Sequence, residues 1–575
     1  MSRVLMSKAR TSVRPIRAAS ARVRAVLPDR AVLATMRRSP RRDLLAGLTV
    51  AVVALPLALG FGIASGLGAQ AGLVTAVVAG ALAALFGGSS LQVSGPTGAM
   101  TVVLVPIVHR YGPSGVLTVG MLAGVLLVAL ALARAGRWMA YVPAPVVEGF
   151  TVGIAGVIAL QQIPAALGVP KPAGDNVAVV AARAAVRFAT TPHWASLALA
   201  AGVAAVMLLG ARLRPTVPFS LPAVVAATAV TALADLPVAR IGHIPAGIPA
   251  PSLSFLHPGA LPGLLAPAVA VAALAALESL MSATAADAMT GGERHDSDRE
   301  LFGQGLANLV APLFGGVAAT GAIARTAVNV RSGAASRLAA LIHAAVLAVI
   351  VLAAAPLVSG IPMAALAGVL IATAVRMVEV ASVRALARAG RGEAAVLLLT
   401  AVATLAFDLV TAVVAGLAAT GVLALRAVAR SAGLKRVPLH ADHHQDEPIL
   451  PAEHIAAYRI DGPLLFAAAH RLLPELIEQA QVAVVILRMS RVSAIDATGA
   501  LALGEAVERL TRRGTVVLVS GIRPDHLRPL EALGVLRQLH VQGRVFATTP
   551  EAVAHARAGL HHSGVLPHQA PAPTS

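Results

Sequence analysis

Cysteine is absent from all 575 residues. That excludes disulfides, thiolate metal sites and cysteine nucleophiles, and it leaves no redox clue to compartment. Charge is scarce as well. Asp, Glu, Lys and Arg make up 13% of the chain, against about 25% in ordinary soluble domains. Hydrophobic residues make up 57% and mean hydropathy is +0.79, so most of the chain belongs in lipid. No P-loop and no Rossmann fingerprint occurs, which argues against ATP-driven transport. Neither an enzyme nor a bound cofactor is expected.

The net charge of +19 does not mark a nucleic-acid binder, because the excess is not gathered on one folded face. Much of it lies in residues 1–43, including Arg3, Lys8, Arg10, Arg14, Arg17, Arg22, Arg24, Arg37, Arg38, Arg41 and Arg42. Such a segment ahead of a first span reads as a disordered cytoplasmic arm beside anionic lipid. It lacks the apolar stretch and cleavage site of a signal peptide.

Residues 44–430 are almost unbroken apolar sequence. Runs begin near Leu44, Gln70, Gly98, Ser114, Pro145, Trp194, Ser220, Leu264, Leu301, Gly321, Ser336, Ile361, Glu393 and Leu409. About fourteen helices are expected, most near the ~20 residues a span needs, in repeats at 44–235 and 264–430. With the N-terminus inside, even-numbered runs return to the cytoplasm. The loops after them carry Arg134 and Arg137, then Arg212 and Arg214, then Arg376, Arg384, Arg388 and Arg391, then Arg430, Lys435 and Arg436. Loops around Ser359 and Asp408 are nearly free of Lys and Arg. This fits a multi-pass protein of the cell membrane with both termini cytoplasmic. One segment breaks the pattern: residues 171–194 put Arg183 and Arg187 on the outer side, and read as an amphipathic surface helix.

Within that stretch the tripeptide Thr-Gly-Ala occurs twice, as Thr97-Gly98-Ala99 and as Thr320-Gly321-Ala322. Each copy follows a Gly/Ser-rich break and opens a short run. Interrupted helices at matching places in two halves are the pattern of a transporter built from an inverted repeat, with its substrate between the breaks. A helix start presents unpaired N–H groups and about half a positive charge, which suits an anion. Gly98, Ala99, Gly321 and Ala322 are the expected donors, and their small side chains let the ligand approach. Arg325 falls in the first turn of the tenth run, where a cation opposes the helix dipole and costs roughly 2.5–3.5 kcal/mol at membrane depth. A bound anion offsets both. The candidate substrate-binding residues are therefore Ser94, Thr97, Gly98, Ala99, Thr320, Gly321, Ala322, Ala324 and Arg325. Gln92 and Ser94 can offer side-chain hydrogen bonds or cap the broken helix. Glu278 is the only carboxylate in the middle of the eighth run, and Ser282 lies four residues on, along the same face. These two are the expected ion-coupling residues, for H⁺ or for Na⁺.

After Arg430 the pattern changes. A polar linker is expected at 431–447, whose His440, Asp442, His443 and His444 lack the spacing of a metal site; no bound metal is expected. A small α/β domain is expected at 448–560, with strands at 456–460, 482–488 and 516–520 and helices at 463–480, 498–512 and 527–533. A disordered tail is expected from 561.

Several phrases resemble the sulfate permease (SulP) family of anion transporters. They are Ala54 to Phe61 (ALPLALGF), Gln92 to Ala99 (QVSGPTGA), Ala276 to Leu280 (ALESL), Gln304 to Asn308 (QGLAN) and Thr320 to Gly333 (TGAIARTAVNVRSG). Ile495 to Gly499 (IDATG) resembles the signature of the STAS domain, with Thr498 at the position of a serine that is phosphorylated in anti-sigma-factor antagonists. The resemblance implies an α-helical membrane protein of seven-plus-seven inverted-repeat helices in a core and a gate domain, followed by a cytoplasmic STAS domain. It implies an anion site between helices three and ten, with Phe61 lining the pocket, an acidic residue at Glu278 coupling the ion, and a homodimer. A cytoplasmic partner of the STAS domain and phosphorylation of Thr498 are possible regulation, set against plain helix capping by Asp496 or Thr498. The functional expectation is a secondary carrier of an inorganic anion, sulfate first, by H⁺ symport or exchange with alternating access. Bicarbonate or a C4-dicarboxylate is the alternative substrate, and an anion channel or a STAS-linked sensor the alternative class.

Overall fold

The computed structural model describes residues 34–137, 142–174, 176–214, 217–245, 247–291, 294–407, 409–437, 454–480 and 482–562. The arm before residue 34, the His440–His444 cluster, Asp408 and the tail from 563 lie outside the described residues. The chain divides into two compact units at Leu417/Ala418.

The first unit is helical because a backbone in lipid must satisfy its own polar groups. Its helices are α1 (Pro40–Ala64), α2 (Ala69–Phe86, with a π-helical turn at Thr75–Ala79), α3 (Gly98–Leu132), α4 (Ala144–Ala166), α5 (Val177–Thr190), α6 (Trp194–Leu213) and α7 (Ser220–Leu233). The second half supplies α8 (Leu261–Thr290), α9 (Ser297–Val310), α10 (Ile323–Arg331), α11 (Leu338–Ala353), α12 (Met363–Met377), α13 (Val380–Ala389), α14 (Arg391–Ala406) and the part of α15 (Leu409–Ser431) up to Leu417. Among the described residues eight helical stretches are long and apolar enough to cross a bilayer, with α7 and α11 shorter but apolar. The third and fourth expected runs are the two helical segments of α3, which meet at Gly112, where the backbone leaves helical geometry (φ 67°, ψ −174°).

Packing sorts these helices into two groups. In one, α1 packs on α2 and α11, α3 on α8 and α9, and α8 on α10; in the other, α4 packs on α12 and α14, and α6 on α12. Close approach rests on small residues. At the α1–α2 crossing, a methyl group on Gly72 would overlap Ala58 O and meet Gly62 Cα. The two repeats meet at a two-residue antiparallel ladder, β1 (Ser94–Gly95) on β2 (Thr320–Gly321), pairing Ser94 with Gly321 and Gly95 with Thr320. Extended backbone at this depth is tolerated because it is buried in protein.

The second unit holds a six-stranded sheet. Strands β3 (Gly433–Val437), β4 (Ile455–Leu464), β5 (Val484–Arg488), β7 (Val516–Ser520) and β8 (Val545–Phe546) follow that order, with β6 (Val492–Ile495) paired to β4. All pairs are parallel except β3 with β4. Helices α16 (Phe466–Gln479), α17 (Ala497–Arg512), α18 (Pro524–Ala532), α19 (Arg537–Val541) and α20 (Thr549–His562) accompany it, over buried apolar clusters that alternate residues along the strands divide between them, Tyr458 and Val485 in one, Ala457 and Ile486 in the other. The expected linker at 431–447 needs correction: Gly433–Val437 is the antiparallel edge strand of this sheet. Likewise α20 runs to His562, past the expected start of the tail.

Candidate functional site

The two Thr-Gly-Ala copies occupy different places. In the first, Thr97 is the N-cap of α3: its Oγ1 accepts from Met100 N (3.3 Å), and its carbonyl accepts from Thr101 N. Gly98 and Ala99 are therefore the first two helical residues, with N–H groups that the helix cannot pair. In the second, Thr320 and Gly321 are strand residues and Ala322 is the N-cap of α10. This corrects the expected donor set. Gly321 N donates to Ser279 Oγ (3.0 Å) and Ala322 N to Val93 O (3.0 Å), so neither is free for a ligand. The unpaired N–H groups of α10 belong instead to Ile323, Ala324 and Arg325. Ile323 is 42% exposed, so this helix start faces an opening.

Arg325 is buried, and its Nη2 donates to Pro96 O (2.8 Å). Nη1 has no hydrogen-bond partner among the described residues. Glu278, on α8, accepts from Thr97 Oγ1 at 2.9 Å. Cation and acid thus hold adjacent residues of the same break. They form no direct ion pair within 4 Å among the described residues. Gly95 keeps this geometry possible: a Cβ there would stand 2.6 Å from Arg325 Nη1. Phe61 and Ile158 pack against Gly98.

Between α8 and α10 on one side and α4, α12 and α15 on the other lies a narrow cavity. Glu278, Met281, Ile323, Phe150, Ile154 and Met377 line it, and Glu278 is its only ionisable wall residue. Arg325 lies behind that wall, tied to Pro96.

Several expected contacts turn inward to the scaffold. Ser282 Oγ shares a hydrogen bond with Thr326 Oγ1 (2.9 Å), which also accepts from Val93 N (3.1 Å). Ser282 is therefore a brace between α8 and α10, and no side-chain hydrogen bond joins it to Glu278 among the described residues. Ser94 Oγ accepts from Gln304 Nε2 (2.6 Å), and Thr320 Oγ1 bonds Ser279 Oγ (2.9 Å) and Ala275 O (3.2 Å).

Bracing residues beyond the expected set are Gln304, Asn308 and Asn329. Asn308 Nδ2 donates to Ala319 O (2.9 Å) while its Oδ1 accepts from Ala319 N (2.8 Å), and Asn329 Nδ2 donates to Leu91 O (2.7 Å). The signal for Gln304 and Asn308 was an amide pair four residues apart on one helix; Asn329, on α10, had no such signal. Gln92 is buried beside Gly321, with neither amide atom paired among the described residues. His343 on α11 is buried with both ring nitrogens likewise unpaired.

In the second unit, Asp496 caps α17: Oδ1 accepts from Gly499 N (2.6 Å) and Oδ2 from Phe466 N (3.1 Å). Thr498 is exposed on the first turn and takes no part in the cap.

This geometry can be set beside known proteins. The model of the "Sulfate permease family" matches residues 41–400, and that of the "STAS domain" matches 451–552. "Putative sulfate transporter YvdB" of Bacillus subtilis is 35% identical over 514 residues, covering 87% of this chain and 95% of that protein. "Bicarbonate transporter BicA" of Synechocystis is 32% identical over 520 residues, covering 87% and 91%. The solved structure of SLC26A9 superposes with a TM-score of 0.79 at 18% identity, covering 95% and 96%, which shows a common fold. A buried crossing of two broken helices, a helical membrane unit and a fused α/β domain, with matches along nearly the whole length, place this chain in the sulfate permease family of anion transporters, with a C-terminal STAS domain.

Proposed function

We propose that this chain is a secondary active carrier of a small inorganic anion, with sulfate the first candidate and H⁺ coupled through Glu278. The observation that carries the reading is the shared break: Arg325 holds Pro96 O and Glu278 holds Thr97 Oγ1. When Glu278 is ionised the two charges cancel. When it is protonated, Arg325 and the helix starts at Gly98 and Ile323 leave the pocket positive, which favours an anion. Proton and anion therefore bind together. A proton suits this acid better than Na⁺, because Ser282 Oγ is committed to Thr326. The pair of helix groups supports alternating access in which the core, with α3, α8 and α10, moves against the gate, with α4 and α12.

Bicarbonate is the second reading, supported by the 32% identity to BicA. A cell-membrane location with both termini cytoplasmic follows from the basic loops. A homodimer, and a cytoplasmic partner for the STAS domain, belong to the same reading. Counterflow in proteoliposomes against sulfate, bicarbonate, fumarate and chloride tests it. Trans-stimulated exchange of sulfate or bicarbonate is expected; uncoupled current without counterflow would replace the carrier by a channel.

A further inference from the structure

Helix α5 (Val177–Thr190) connects two spanning helices, α4 and α6, on the face poor in Lys and Arg, so it must run along that membrane surface. Its N-terminus is capped by Asn176, whose Oδ1 accepts from Ala178 N and Val179 N. Val180, Ala181 and Ala184 are buried and pack toward α4. The opposite side is also apolar. Val179, Ala182, Val186 and Ala189 share it at helical spacing, and Val179 (44%) and Val186 (67%) are well exposed. A helix with two apolar faces has only a narrow stripe left for water, and here that stripe carries Arg183 and Arg187.

Those arginines are four residues apart on one side, so their like charges face each other. Arg183 Nη1 donates to Ala173 O (2.7 Å), which fixes the side chain; the Arg187 guanidinium has no partner among the described residues. No acidic residue occurs between 177 and 190. At the end of the helix Phe188 stacks edge-on against Trp194 (5.2 Å), and Trp194 is 66% exposed at the start of α6. Exposed Trp beside basic residues marks the headgroup level of a bilayer.

We propose that α5 is an interfacial anchor, seating Val179, Val186 and Trp194 among acyl chains while Arg183 and Arg187 together hold the phosphate of an anionic phospholipid. The occupant is a lipid rather than a protein: the spanning helices on either side hold α5 at the bilayer surface, and the exposed stripe joins apolar residues to cations that have no acidic partner among the described residues. This accounts for two arginines on a face where few cations are expected.

The test uses the full-length chain with Trp138→Phe, which leaves Trp194 as its only tryptophan. It is reconstituted in phosphatidylcholine vesicles containing either brominated phosphatidylglycerol or the same fraction of brominated phosphatidylcholine. Bromine quenches only neighbouring tryptophan. The phosphatidylglycerol form should quench at several-fold lower mole fraction, with about five-fold preference for each arginine. Arg183→Gln with Arg187→Gln should bring the two lipids level, and Arg183→Lys with Arg187→Lys should keep most of the preference. Equal quenching in the unaltered arginine background, or a preference surviving the double glutamine change, would overturn the proposal. So would the absence of quenching by either lipid.

Discussion

Changing Glu278 to Gln removes one property and little else. The amide keeps the shape, and its oxygen can still accept from Thr97 Oγ1, now at 2.9 Å. What disappears is a group able to change charge with occupancy. On the proposed coupling one carboxyl carries one proton, so one anion would cross with one proton. A pH difference of one unit is worth about 1.36 kcal/mol per proton, which at zero voltage supports roughly ten-fold accumulation of the anion. The unaltered chain in proteoliposomes, with acid outside and voltage clamped by potassium and valinomycin, should reach that ratio. Glu278→Gln should bring the ratio near one while counterflow at equal pH persists. The charge moved per turnover then separates the substrates: sulfate with one proton carries one net negative charge, bicarbonate with one proton carries none. Ten-fold accumulation by Glu278→Gln would refute the reasoning. A ratio near a hundred in the unaltered chain would also do so, because a single acid at the break cannot supply a second proton.

Other changes probe the remaining parts. Gly95→Ala places a methyl group 2.6 Å from Arg325 Nη1, and displacing that cation should weaken anion binding about ten-fold or more, in line with a charge-assisted hydrogen bond. In an Arg325→Gln background the same change should add nothing to the binding loss, and isothermal binding on all four proteins of the cycle checks this. Gly72→Val should lower the melting temperature in detergent severely, since the side chain would enter Ala58 O and Gly62 Cα, whereas Gly259→Ala meets nothing within 4 Å and should be neutral. Asp496→Ala should cost about 1 kcal/mol of local stability, seen as faster amide exchange across Ala497–Arg512 in the full-length protein, with transport unchanged.

What could be read from residue order was what depends on local pattern. Apolar runs revealed the spans because lipid leaves so few alternatives. The strand at Val516–Ser520 stood out as β-branched sequence between turn residues. Gly433–Val437 did not: it is a short edge strand carrying Lys435 and Arg436, whose charges suit an edge and disguise a strand. Strand β8 is two residues long and is recognisable only by its pairing with β7. Arg325 and Glu278 stood out in the sequence because charge at membrane depth is rare, and both bond to the break ahead of α3. The partner of Ser282 was not legible, for an equally physical reason. Spacing places it on the Glu278 face of α8, but a hydroxyl bonds whatever is nearest, and the neighbour is Thr326 on another helix.

The same limit explains why two identical tripeptides behave differently. Thr97 is followed at once by a helix that needs a cap, so its hydroxyl turns to Met100 N and Glu278. Thr320 lies inside the ladder opposite Gly95, so its hydroxyl turns to Ser279 and Ala275 instead. An inverted repeat preserves the fold of each half, yet the two halves meet each other from opposite directions, so equivalent letters meet different neighbours. The asymmetry has a chemical consequence: one break carries the acid contact and the other contributes the arginine. A symmetric pair of helix starts would attract an anion but could not link its binding to a proton; Arg325 and Glu278, held on successive residues of one break, are what the proposed coupling would use for that link.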